Sequence, residues 1–289
     1  MAAIEGSRRS SLSGARLVVV NDNVLRKQAV NASHNSRLKL QYDKMRRYRD
    51  RGLLAPFFIP RVYGGGIDTA TGLYYYEMDL IPEGIPVVQY IKLATRNRFA
   101  DTLCEYFRRV SKVRNPCEIS KFSVAIGLKL EYLSQYCDAW EMGAMHRGFV
   151  KRKNILDGLP ATCCHGDLSF DNMVITDSGD IYVVDLLDPP YSHYFFDVSK
   201  LHMELDGEFY LMTHPDVSNH PGNTSGPGKL SELTRAHILM KVLDHIDPRY
   251  REVSTFLLAL NFARVLPYVK TQRERNFLHE RIRTYCEDL

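Results

Sequence analysis

The sequence predicts an α+β fold of two lobes, a small antiparallel-sheet lobe followed by a larger helical one. Three observations lead there. β-prone runs crowd the first 80 residues around a single helical segment. A Pro/Gly break, Pro82-Glu83-Gly84-Ile85-Pro86, follows them. Beyond it helical spacing dominates, with one β interruption at 173–184.

Taken in order, residues 1–14 are rich in Ser, Gly and Ala without an apolar period, which predicts a flexible tail. Residues 16–20 and 24–30 are β-prone and flank Asn21-Asp22-Asn23, a hairpin pattern. Asn35-Ser36 opens a helix over 37–50 that Gly52 ends. Val62-Tyr63 and residues 73–78 supply two more strands, with Gly64-Gly65-Gly66 read as part of the turn between them. After the break, helices are expected at about 87–95, 97–113, 119–139, 141–153, 197–211, 230–246, 250–265 and 270–286. Residues 213–229 hold three prolines and three glycines, a loop long enough to be functional or mobile. The expected domains are the tail 1–14, a first lobe and hinge over 15–82, and a helical lobe over 83–289. A cleft between lobes is a natural ligand site.

Composition narrows the function classes. The chain has 289 residues, 45% hydrophobic and 25% charged, so it can bury a core without staples and is neither collagenous nor disordered. No uncharged apolar run reaches the roughly 18 residues of a membrane span. Charged Arg8 and Arg9 lack a following apolar core, which argues against a secretory signal. A net charge of +4 does not call for nucleic acid. The basic runs at 44–49 and 146–153 read as solvated helix faces. The six cysteines lack zinc-knuckle spacing and read as free thiols of a cytoplasmic protein.

The chemistry concentrates in Cys164-His165-Gly166-Asp167-Leu168-Ser169-Phe170-Asp171-Asn172 and the strands after it. Residues 173–176 and 181–184 flank Asp177-Ser178-Gly179-Asp180, a hairpin signal. Symmetric pairing sets Thr176 opposite Ile181 and Met173 opposite Val184, with Asn172 beside Asp185 on the next rung. Two oxygen ligands at one hairpin end suit Mg²⁺, which keeps waters and substrate phosphates for the rest of its shell. Asp167 precedes Asn172 by five residues, placed to orient a hydroxyl and accept its proton. His165 is expected to hold the loop by hydrogen bonds.

His-Gly-Asp-x-x-x-x-Asn followed by a strand ending in Asp resembles the aminoglycoside phosphotransferase and choline kinase superfamily, small-molecule kinases with a protein-kinase-like fold. The resemblance implies ATP and Mg²⁺ as cofactors, Asp167 as catalytic residue, and Asn172 and Asp185 as metal ligands. Gly166 stands where protein kinases usually carry Arg, which favours the small-molecule branch. The run ending Phe196-Asp197-Val198-Ser199-Lys200-Leu201 looks like the family's stretch after the metal Asp, with Asp197 bracing the loop. In this superfamily a Lys on the third strand of the small lobe contacts phosphates and pairs with a helical acid. Lys27 is the candidate, with Arg26 as competitor; the helix offers Asp43, with Gln41 nearby, and no Glu. Asp79 and Ile81 fall at the hinge, where backbone groups would hold adenine.

The implied function is phosphorylation of a hydroxyl on a small molecule, sugar-like or a glycan-pathway intermediate, with no nucleic-acid or membrane partner. Cationic acceptors are less attractive: the only nearby acidic cluster is Glu204, Asp206 and Glu208. The alternative is an inactive pseudokinase serving as nucleotide sensor or scaffold. A protein kinase is disfavoured, because nothing after Asp185 resembles an activation loop ending in Ala-Pro-Glu.

Overall fold

Alternation of side chains across a strand fixes which face of the first sheet is buried. In the computed structural model, which describes residues 15–81, 85–91, 94–114, 122–189, 191–213 and 230–289, the chain divides into two units. One comprises Met1–Arg51 and Pro60–Pro82, the other Gly52–Ile59 and Glu83–Leu289. The tail 1–14 and the loop 214–229 lie outside the described residues, as do positions 82–84 of the Pro/Gly break.

In the first unit β1 (Ala15–Asn21), β2 (Val24–Ala29), β3 (Val62–Ile67) and β4 (Tyr74–Asp79) form one antiparallel sheet in the order β1-β2-β4-β3. Asp22 and Asn23 turn the first hairpin, where the Asn21 side chain accepts from the Asn23 N–H at 3.0 Å. β4 buries every second residue, Tyr74, Tyr76 and Met78. Against the sheet lies α1 (Asn35–Asp50). Its buried residues Leu38, Gln41, Lys44, Met45 and Tyr48 follow the helical period. Lys44 thus departs from the basic face expected at 44–49; Arg46, Arg47 and Arg49 are exposed.

The glycine run is strand rather than turn. Gly64, Gly65 and Gly66 pair with Glu77, Tyr76 and Tyr75. A Cβ on Gly65 would come within 2.9 Å of the Tyr75 carbonyl oxygen, so the glycine permits close approach of two backbones. The reversal lies at 68–72, closed by the Gly72 N–H donating to the Asp68 carbonyl at 2.8 Å.

The second unit is mostly helical: α2 (Val87–Tyr90), α3 (Arg96–Val110), α4 (Phe122–Leu133), α5 (Ala139–Asp157), α6 (Phe195–Leu205), α7 (Phe209–Thr213), α8 (Glu232–Leu243), α9 (Arg249–Ala263) and α10 (Gln272–Cys286). The whole is an α+β fold. Capping boxes open α5 (Asp138 with Glu141) and α10 (Thr271 with Glu274), satisfying otherwise orphaned first-turn N–H groups. α9 is buried over ten of its fifteen residues and packs on α5, α6 and α10. The helix expected over 197–211 is two helices. Gly207 separates them because a Cβ there would meet the Phe262 ring at 2.5 Å, and Glu208 turns the chain with φ +54°.

A second sheet is formed by β5 (Ile85–Pro86), β6 (Met173–Ile175) and β7 (Ile181–Val183), the last two following the loop 164–172. Its hairpin register differs by one from the symmetric pairing. Met173 faces Val183 and Ile175 faces Ile181. The loop is three residues long, with Gly179 at φ +82° and its N–H on the Thr176 carbonyl at 2.8 Å. A turn closed by a left-handed glycine is a favoured three-residue connection, and here it pairs Thr176 with Asp180. This register puts Met173, Ile175, Ile181 and Val183 on the buried face together. Phe58 adds to the far edge of β7, donating to the Ile181 carbonyl at 2.9 Å and accepting from the Val183 N–H at 2.8 Å.

Candidate active site

Between Cys164 and Asn172 the chain makes a loop whose shape is set by one glycine and one buried carboxylate. Gly166 has φ +93°, a conformation costly for residues with a Cβ. A Cβ there would lie 1.9 Å from the Leu187 carbonyl oxygen. We expect Gly166→Ala to destabilise the protein by about 2–4 kcal/mol or more, from steric overlap plus strain. A melting temperature within a degree of wild type would contradict this.

Asp197, in the first turn of α6 and fully buried, accepts from the His165 and Gly166 N–H groups, both at 2.7 Å, and from the Tyr106 hydroxyl. Burial pushes its carboxyl above the ordinary range, against the pull of His165 and these hydrogen bonds. His165 is fully buried with both ring nitrogens on backbone: Nε2 lies 2.9 Å from the Val184 carbonyl, and Nδ1 accepts from the Asp167 N–H at 3.2 Å.

The loop delivers Asp167 and Asn172 to one place. Asn172 Nδ2 donates to the Asp167 carbonyl at 2.8 Å and reaches its Oδ2 at 3.3 Å. That contact orients the amide and leaves Asn172 Oδ1 for another ligand. The Val184 N–H donates to the Asn172 carbonyl at 3.0 Å, so the rung opposite Asn172 is Val184. Asp185 is the next residue, and it leaves the strand in left-handed conformation, φ +60°. For a residue with a Cβ that conformation is uncommon and clusters at functional sites.

Asp167 has a partner that the sequence reading did not single out. Lys200 Nζ lies 3.0 Å from Asp167 Oδ1, with only 9% of the lysine side chain exposed against 27% of the aspartate. Burial alone would raise the Asp167 carboxyl. The Lys200 ammonium, with Arg264 and His165 beyond it, outweighs burial and holds it below the usual value. Glu204, one turn further along α6, is buried and accepts from the Phe170 N–H at 3.2 Å. Burial, then the charge of Asp171, pushes it well above the ordinary carboxyl range. A signal was present in the sequence: Asp197, Lys200 and Glu204 stand at i, i+3 and i+7, on one face of a helix whose remaining residues are mostly apolar.

Lys27 lies on β2, the second strand among the described residues, and is 1% exposed. Its Nζ meets Gln41 Oε1 of α1 at 3.2 Å. Asp43 is not on that face. It is exposed and pairs with Lys39 at 3.2 Å. Residues two apart on a helix point to different sides, so 41 and 43 cannot both face the sheet. Arg26 is engaged across the strands by Glu77 at 2.6 Å. Asp79 ends β4; its N–H donates to the Arg61 carbonyl at 2.9 Å, and its carboxylate accepts from Arg61 N–H and the Tyr63 hydroxyl. Ile81 follows as irregular backbone.

No protein-family model matches this sequence, and no curated protein does. Solved structures do match. Choline kinase LicA from Streptococcus pneumoniae superposes with a TM-score of 0.55 at 14% identity, over 96% of this chain and 90% of that one. APH(2")-IIia, solved with GDP and kanamycin, gives 0.59 at 13% identity, over 95% and 89%. Aminoglycoside phosphotransferase APH(4)-Ia, in a ternary complex with AMP-PNP and hygromycin B, gives 0.57 at 11% identity, over 94% and 93%. The chain has the fold of choline kinase and the aminoglycoside phosphotransferases. Coverage of nearly the full length on both sides means that both units take part in the likeness.

Proposed function

We propose that this protein is an ATP- and Mg²⁺-dependent phosphotransferase acting on a hydroxyl of a small molecule. The observation that carries the reading is the loop itself. Asp167 and Asn172 share one hydrogen-bonded corner, Asp185 follows just past the adjoining strand, and Asp197 braces the loop backbone at His165 and Gly166. The fold of known kinases and phosphotransferases supports it.

The donor set fits Mg²⁺. Asn172 Oδ1 and the Asp185 carboxylate are hard oxygen ligands, and among the described residues there is no group of three or more His, Cys, Asp and Glu able to cage a metal. A shell completed by water and phosphate suits that ion. Bound there, it would neutralise charge on the transferring phosphate. Lys27 would bind nucleotide phosphate as a point charge, with Gln41 of α1 on its ammonium. Adenine would be held by backbone groups of Asp79 and Ile81; the Asp79 N–H is engaged by Arg61, which leaves its carbonyl. Asp167, ionised at neutral pH, orients the acceptor hydroxyl and takes its proton.

The acceptor we favour is neutral or anionic, sugar-like or a glycan-pathway intermediate. Two of the three acids of the cluster at 204–208 are engaged by side chains: Asp206 by the Tyr285 hydroxyl at 2.8 Å, and Glu208 by Arg235 at 2.7 Å and Arg281 at 3.6 Å; Glu204 is buried, with Oε1 on the Phe170 N–H. The second reading, an inactive nucleotide sensor, is favoured by α1, which offers Lys27 the amide of Gln41 where the resemblance calls for a helical acid.

Thermal melting with and without Mg-ATP tests the nucleotide site. At a hundred times the dissociation constant, ATP should stabilise wild type by about 2.7 kcal/mol. Asp185→Ala should lose the Mg-dependent part of that shift. No shift in wild type with ATP or GTP would overturn the reading. A shift without ADP release from any hydroxyl acceptor would favour the sensor.

A further inference from the structure

A buried ammonium needs more than one partner. Lys200 Nζ forms one ion pair, with Asp167 Oδ1 at 3.0 Å, and among the described residues no other hydrogen-bond acceptor engages it. An ammonium has three protons, so donors remain. Its other close neighbour is the face of Phe209, 5.7 Å from the ring centroid, which attracts a cation but accepts no directed hydrogen bond. Glu204 lies on the same helical face; its Oε1 accepts from the Phe170 N–H and its buried Oε2 has no hydrogen-bond partner among the described residues, so neither oxygen bonds the ammonium. Leaving donors of a desolvated charge unmade is costly unless a ligand completes them. The neighbour that decides which ligand is Asp167, the group that receives the acceptor hydroxyl. Whatever reacts with that hydroxyl passes within reach of the ammonium.

From this geometry we infer that Lys200 is a further catalytic residue of the phosphotransfer site, donating to the phosphoryl oxygens as the group moves onto the acceptor hydroxyl beside Asp167. The inference rests on the phosphotransferase reading. In the step, the acceptor oxygen forms a bond to the γ-phosphorus while the bond from that phosphorus to the β–γ bridging oxygen breaks. ADP leaves with that electron pair, and the hydroxyl proton passes to the Asp167 carboxylate and on to solvent. Lys200 remains protonated throughout. Its charge is placed where negative charge spreads over the transferring group, and it holds the Asp167 carboxylate in one rotamer.

Binding of a phosphoryl mimic tests this without a known acceptor. Wild type, Lys200→Met and Lys200→Arg are melted with Mg-ADP alone and with Mg-ADP plus aluminium fluoride, which stands in for the phosphoryl group in flight. All three should show the same Mg-ADP shift. Wild type and Lys200→Arg should gain a further shift with fluoride, and Lys200→Met should not. Steady-state ADP release, with water as acceptor, should fall about 10²–10³-fold in Lys200→Met with the KM for ATP unchanged, and recover in part in Lys200→Arg. A purely structural lysine would change melting of the apo protein and leave the fluoride increment intact. That result overturns the inference, as does a wild type that binds Mg-ADP but gains nothing from fluoride. No Mg-ADP shift in any protein overturns the nucleotide reading, and the role of Lys200 with it. Should Lys200→Met fail to fold, Lys200→Gln, uncharged but still able to donate to Asp167, carries the same comparison.

Discussion

Asp167→Asn should lower phosphoryl transfer by about 10²–10⁴-fold while leaving the Mg-ATP melting shift in place. The substitution keeps shape and removes both the negative charge and the proton acceptor. Nucleotide affinity does not depend on either, since the proposed phosphate and metal ligands are Lys27, Asn172 and Asp185. The local fold should tolerate the change, because the Asp167 main-chain contacts persist: its carbonyl still accepts from Asn172 Nδ2 and its N–H still donates to His165. The ion pair with Lys200 is lost, and the amide oxygen can still accept from that ammonium. ADP release is the measurement, with water or a screened hydroxyl compound as acceptor. Full turnover in the variant would remove Asp167 from the mechanism.

Asp197→Asn is the second large effect, and it acts on stability before activity. The carboxylate satisfies two backbone N–H groups and one hydroxyl inside a fully buried site. An amide offers one acceptor atom where the carboxylate offers two, and turns an N–H toward one of those donors. With the amide oxygen in the place of Oδ2, the Gly166 N–H and the amide's own N–H are left without acceptors, and at about 1–3 kcal/mol each the sum is about 2–6 kcal/mol. At roughly 2–4 °C per kcal/mol for a protein of this order of size, the melting temperature should fall by on the order of 10 °C. Turnover should fall too, since His165 and Gly166 immediately precede Asp167. A drop of less than about 2 °C would mean that other contacts hold the loop.

Elements with a strong local signal were legible. The hairpin of β1 and β2, α1, and the alternating strand β4 follow from turn residues and periodicity within a dozen positions. Misreadings came where a distant neighbour decides. Gly64-Gly65-Gly66 has turn composition, but β4 draws it into the sheet. Four residues from Asp177 to Asp180 allow two registers, and the left-handed glycine together with the buried face selects one. The helix expected over 197–211 breaks where Phe262, from a different helix, packs onto Gly207.

The same division runs through the candidate site. Asp167, Asn172 and Asp185 could be read from the chain because they lie within twenty residues on a loop and its hairpin, where spacing constrains geometry directly. Which side chain meets Lys27 could not. Asp43 has the expected charge, but the helix turns it to solvent and presents Gln41 instead. Nor could the ion pair of Lys200 with Asp167, 33 positions apart, since helix α6 must first be anchored through Asp197 before its next turn can reach the loop. The sequence by itself therefore determined the α+β class and named the candidate groups, which depend on local periodicity and residue type. Only the tertiary structure decided their partners, because a charge is tuned by what is packed within a few ångströms of it, and packing joins residues that the chain keeps far apart.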